Sequence, residues 1–152
     1  MPNLPEPLFR RAVLGLTGAP SDQQIVRLAC QLAKPYRGEV IGVHVVEVDW
    51  TLPLDADVAG RSEEAQRVLD AAEATAEDVG YTLQPVLLQA RDVGPALVDE
   101  ASERNADLLM LGLGYRTKFG GDFAIGLTIP YVLKNAPCGV WVLRDPIAGG
   151  QP

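Results

Sequence analysis

Residues 107–128 read DLLMLGLGYRTKFGGDFAIGLT, and the order of residue types in this stretch decides the fold. Leu108 to Leu111 is a short apolar run that suits a strand buried on both faces. Five glycines follow, at Gly112, Gly114, Gly120, Gly121 and Gly126, in a loop made basic by Arg116 and Lys118. A helical period then begins at Leu127 and runs to Ala136, with Ile129, Val132 and Leu133 expected inward and Pro130 tolerated in the first turn. Strand, glycine loop and helix start together offer bare backbone N–H groups and a helix dipole to an anion such as a nucleotide phosphate. The loop is neither a Walker A loop, because no Gly-Lys-Ser/Thr follows, nor a Rossmann fingerprint, because Thr117 stands where a third glycine would be.

Working outward, strand-like and helix-like periods alternate along the chain. Ala12 to Leu16 is a short apolar run and Val40 to Val46 a valine-rich one, and both read as buried strands. Between them lies a helix with Ile25, Leu28, Ala29 and Leu32 on one stripe, which Ser21 or Asp22 is placed to cap. A second helix opens at Ser62 and runs to Gly80, with Ala65, Val68, Leu69, Ala72, Ala76 and Val79 inward. The acidic stretch from Glu47 to Gly60 lacks a period and reads as a loop. Thr82 to Leu88 is a third strand, and Pro85 assigns it to a sheet edge. A helix starting near Pro95 precedes the quoted segment, and Val140 to Leu143 is the fifth strand. Five strands and four helices in alternation predict a doubly wound five-stranded parallel α/β sheet, order 3-2-1-4-5, with helices on both faces. Ligands in such sheets bind at the carboxyl ends of the strands beside the switch point, here between the first and fourth strands. Thr17–Gly18 and the loop after Gly112 are expected to face each other there.

Composition narrows the function. The 152 residues, 47% hydrophobic and 22% charged, suit one globular domain with its own core. Thirteen basic against 20 acidic residues (net charge −7) exclude a nucleic-acid partner held by charge alone. No apolar run is long enough to span a bilayer, and residues 1–7 carry no signal pattern, so the expected location is cytoplasmic, without membrane insertion. Cys30 and Cys138 read as separate, packed, reduced thiols. His44, the single histidine, reads as a packed residue with a backbone hydrogen bond, because no ligand-spaced Cys, Asp or Glu accompanies it to form a metal site. Glu63–Glu64 and Glu77–Asp78 read as solvated helix faces, and Trp50 as an exposed loop residue. No Ser-His-Asp or Cys-His grouping meets at the cleft, so no catalysis is expected.

Three segments carry a family resemblance. Gly-Val-His-Val-Val at 42–46, Asn-Ala-Asp-Leu-Leu-Met-Leu-Gly at 105–112 and Lys-Asn-Ala-Pro-Cys-Gly-Val-Trp-Val-Leu-Arg at 134–144 resemble, in order and spacing, the signatures of the universal stress protein family. The resemblance implies an adenine nucleotide alpha hydrolase-like fold for residues 11–145, with an N-terminal extension at 1–10 and a flexible tail at 146–152. It implies a regulatory, non-enzymatic module that binds ATP or AMP and forms a homodimer through the last strand, Val140 to Leu143. The nucleotide-binding residues it implies are Gly15, Thr17, Gly18, Val45, Gly112, Gly114, Arg116, Lys118, Gly126, Leu127 and Thr128.

This chain departs from the family's binding pattern in three places. Thr17 stands where binders carry an aspartate, Tyr115 occupies the second glycine's spacing with Gly114 before it, and Leu127 replaces a Ser/Thr, with Thr128 adjacent. The loop is one residue longer than the family's. Two lost polar contacts would weaken a nucleotide by about 10–100-fold. The alternative reading is a dimeric interaction module without nucleotide, serving a transporter or another protein, with residues 47–60 as its contact surface. A third class is a nucleotide hydrolase or a flavodoxin-like electron carrier, and the flavin reading would need a hydroxyl-rich loop after the first strand, which is missing.

Overall fold

Strand β1 (Arg11–Leu16) lies at the centre of the sheet and is apolar from Ala12 to Leu16 because both of its faces are covered there. The structure, a computed structural model, describes residues 4–56, 60–116, 122–123 and 126–146. In chain order the further elements are α1 (Ser21–Ala33), β2 (Glu39–Glu47), α2 (Arg61–Asp78), β3 (Gln84–Ala90), α3 (Val93–Glu103), β4 (Leu108–Leu113), β5 (Tyr115–Arg116), β6 (Asp122–Phe123), α4 (Thr128–Asn135) and β7 (Gly139–Arg144). The main sheet has the order β3-β2-β1-β4-β7 with every pair parallel. The expected 3-2-1-4-5 topology is therefore present, with β7 as the fifth strand. The small β5–β6 antiparallel pair is an addition inside the glycine loop that no periodicity announced.

Alternation along the strands feeds two cores. Ala12, Leu14, Leu16, Leu108 and Met110 pack with Ile25, Ala29, Leu69 and Ala76 of α1 and α2. Val13, Leu109 and Leu111 point the other way, into Ile41, Val43, Leu97 of α3 and Val132 of α4. Phe9 joins the first core, its ring edge-on to Trp141 at 6.4 Å between centroids. Asp107, in the second signature segment, has a structural task. Its carboxylate accepts the amides of Arg10 (2.8 Å) and Arg11 (2.9 Å), which ties the start of β1 to that of β4.

Some local expectations are corrected. Leu133 is 59% exposed rather than inward, because only eight residues of α4 lie along the sheet border and the sheet-facing stripe passes through Ile129 and Val132. The third strand starts two residues later than its pattern suggested, at the edge where Pro85 assigned it. Neither Ser21 nor Asp22 caps α1. Pro20 occupies that position without a side-chain hydrogen bond. The segment after β2 is strapped down: Arg91 donates to the carbonyls of Asp49 (2.6 Å) and Leu52 (2.7 Å), with its guanidinium 5.2 Å from the centroid of the exposed Trp50 ring.

Cys30 is fully buried, and burial pushes its thiol up to about 11. The folded state thus keeps a proton that the unfolded chain releases above roughly pH 8.5. Stability from this group is complete below that pH and falls as pH rises toward 11, by on the order of 2–3 kcal/mol. The fall in urea midpoint between pH 8 and 10.5 should be smaller for Cys30→Ala than for the unmodified protein. Native Cys30 should also resist alkylation at pH 8.

Candidate functional site

The carboxyl ends of β1 and β4 diverge toward their different crossover helices and leave a cavity of about 470 Å³, within the range of small-ligand sites. Its floor is apolar: Val43 and Val45 from β2, Leu97 from α3 and Leu111 from β4. Its rim carries Thr17 and Ser21 on one side, and Gly114, Gly126, Leu127, Thr128 and Asp145 on the other.

Close backbone approaches shape this space. A Cβ at Gly112 would lie 2.8 Å from Ser21 Oγ and 3.0 Å from its Cβ, so glycine is what lets the end of β4 touch the start of α1. Gly15 is enclosed in the same way, with Leu111 Cδ2 2.8 Å and Leu97 Cδ1 3.0 Å from a built Cβ. Gly126 differs. It adopts φ +61° just before α4, and among the described residues nothing but its chain neighbours lies within 4 Å of a built Cβ. The first turn of α4 follows, uncapped by any side chain and opening on the cavity through Thr128 and Ile129. Pro130 supplies no amide, so the orphan donors of this helix end are concentrated at its first two residues.

The turn between β1 and α1 is organised by a residue that the spacing of the family pattern did not single out. The Asp22 carboxylate accepts the amides of Thr17 (3.0 Å) and Gly18 (2.8 Å). The Thr17 hydroxyl accepts the Ala19 amide at 3.2 Å and makes a longer contact of 3.4 Å to Asp22. These donors, which an incoming anion would otherwise meet, are occupied internally. Burial raises the Asp22 carboxyl above its ordinary value, against the lowering effect of the Thr17 and Gly18 amides. A Thr-Gly followed by Asp in the first helical turn was the available signal for this arrangement.

The predicted residues therefore divide. Gly15, Thr17, Val45, Gly112, Gly114, Gly126, Leu127 and Thr128 line one cavity. Gly18 instead borders a neighbouring depression of about 480 Å³, with Asp22, Glu64 and Arg67 between α1 and α2. Arg116 sits in β5, at the near end of the loop. Lys118 lies outside the described residues. His44 donates from Nδ1 to the Leu16 carbonyl at 2.8 Å, as a carbonyl only accepts, and lies apart from the cavity beside Arg61 and Glu64. Asp145, which sequence reasoning missed, enters the cavity rim from the residue after β7 because its amide bonds the Leu113 carbonyl at 2.9 Å.

Among the described residues, no group of three or more His, Cys, Asp or Glu side chains is placed to hold a metal ion, and no helix is long and apolar enough to cross a membrane.

Comparison with known proteins agrees with this architecture. The chain is 29% identical over 138 residues to the sensor protein KdpD of Mycobacterium tuberculosis, covering 91% of this chain but only 15% of that protein. It is 26% identical over 147 residues to a universal stress protein of Methanocaldococcus jannaschii, covering 93% of this chain and 85% of the relative. Among solved structures, the universal stress protein of Archaeoglobus fulgidus in complex with dAMP superposes with a TM-score of 0.69 at 19% identity, over 89% of this chain and 98% of that one. A universal stress protein family protein of Arabidopsis thaliana with AMP bound gives 0.63 at 12% identity, over 93% and 95%. At such identities the superpositions speak for the fold. Residues 8–144, nearly the whole chain, match the sequence pattern of one family, and on that match the chain belongs to the universal stress protein family.

Proposed function

We propose that this protein is a regulatory module that binds an adenine nucleotide in the cavity between β1 and β4 and catalyses no reaction on it. The observation that carries the reading is the cavity itself. An apolar floor of Val43, Val45, Leu97 and Leu111 suits the face of a purine, and the first turn of α4 beside Gly126 offers amides to a phosphate. Relatives of the same fold hold dAMP and AMP, which supports this class of ligand. The only imidazole of the chain lies outside the cavity, bonded to Leu16, which favours binding over acid–base chemistry.

Isothermal titration with AMP, ATP and cyclic AMP, together with mass spectrometry of nucleotides released on denaturation, tests the reading. Measurable heat at millimolar ligand or below is expected, without phosphate release from ATP. Silence in both measurements would remove the nucleotide from the account.

The same module is read as a homodimer paired through β7, whose outer edge has no strand partner among the described residues. A second reading, a partner-binding module without nucleotide, draws on the likeness to a stretch of a much longer sensor protein. Exposed Leu133 and Tyr131 on α4 would then belong to the contact surface. Sedimentation equilibrium distinguishes a monomer from the expected dimer.

A further inference from the structure

Asp145 Oδ1 is buried without a hydrogen-bond partner, although the side chain lines the cavity. Buried acceptors are almost always paired, so the unpaired oxygen shows that this carboxylate, at the cavity wall, is not fully satisfied within the protein. Asp145 stands beside Gly114: a Cβ built there would be 3.5 Å from Oδ2. Its amide is held by the Leu113 carbonyl, which fixes the backbone that carries it. Asp145 is therefore on the β4–β7 side, the side that the glycine loop and the start of α4 share. The second carboxylate nearby, Asp22, is bonded to the Thr17 and Gly18 amides and borders the neighbouring depression, so Asp145 brings the only carboxylate to the cavity wall among the described residues.

We propose that Asp145 is a specificity determinant of this cavity, accepting a hydrogen bond from a hydroxyl or amine of the ligand and excluding a polyphosphate. The inference rests on the nucleotide reading above and narrows it to low-charge ligands, a nucleoside or nucleoside monophosphate. A hydroxyl or amine can donate to the Asp145 carboxylate, whereas an extra phosphate brings like charge against it in a space of reduced dielectric. One phosphate at the first turn of α4 is compatible with this wall. A chain of two or three phosphates without a counter-cation is not.

Titration of adenosine, AMP and ATP in EDTA, with the unmodified protein, Asp145→Asn and Asp145→Glu, tests the proposal. AMP should bind the unmodified protein at least about tenfold more tightly than ATP. Asp145→Asn keeps the acceptor and the shape but removes the charge. It should bring ATP to within about threefold of AMP while weakening adenosine several-fold, and Asp145→Glu should restore the discrimination. Thermal melts confirm that the variants are folded. Equal affinities of AMP and ATP for the unmodified protein, or a ratio that Asp145→Asn leaves alone, overturn this proposal while nucleotide binding stands. Failure of all three ligands to bind overturns both.

Discussion

Gly126→Leu is expected to weaken adenine nucleotide binding by at least about 100-fold, or ~2.7 kcal/mol, while leaving the protein folded. Gly126 lines the cavity at the entrance to α4, and its φ of +61° is a left-handed conformation that leucine adopts at a cost of about 1–2 kcal/mol. No heavy atom of the described residues, chain neighbours aside, lies within 4 Å of a built Cβ, so the first side-chain atom enters open volume beside the first turn of α4. The expected loss has two sources: the volume a ligand would use, and the aim of the amides that follow. Gly112→Val would be a poorer test, because its Cβ would strike Ser21 and disturb α1 together with the site. Titration of Gly126→Leu with AMP, alongside a melt showing a modest shift, reads the effect directly. Retained affinity in the folded variant would show that the ligand lies elsewhere.

Leu14→Ala should cost about 3–4 kcal/mol and lower the melting temperature by about 10 °C. Leu14 is fully buried in the central strand, among the residues that join α1 and α2 to the sheet. Removing three carbons there leaves a void that neighbours on a five-stranded sheet cannot close, because hydrogen bonds to β2 and β4 hold the backbone on both sides. Leu133→Ala provides the contrast. At 59% exposure it should change stability by no more than about 0.5 kcal/mol. Chemical denaturation of the two variants measures the difference. Equal costs would mean that Leu133 is covered in solution, as pairing along the α4 and β7 border would produce.

These two leucines also mark how far residue pattern carries. Leu14 sits in an uninterrupted apolar run, and such a run is stable only where helices cover both faces of a strand. Leu133 obeys the helical period as well as Val132 does, yet α4 lies at the sheet border, where half of an apolar stripe has nothing to pack against. Periodicity states which residues share a face. It does not state how much neighbour each face will meet.

The candidate site divides along the same line. Gly112, Gly126 and Thr128 were legible because a strand end, a loop and a helix start are consecutive in the chain, and their geometry follows from local backbone preference. Gly18 was assigned to the same cleft through its neighbour Thr17, and the capture of both amides by Asp22 turns it toward the α1–α2 depression. Asp145 carried no local signal at all. It reaches the cavity because parallel pairing sets Leu113 opposite Arg144, which brings the next residue to the rim beside Gly114.

The sequence by itself thus determined the alternation of the five main strands with four helices, the parallel sheet and the switch-point cleft, since alternating periods and apolar runs admit few other topologies, and three matching segments pointed to the family. Which carboxylates face that cleft was decided only by the tertiary structure. Asp22 is withdrawn into its own turn and Asp145 is delivered across the sheet. Both outcomes depend on where a side chain lands after strands distant in the chain are paired, and that is a property of packing rather than of spacing.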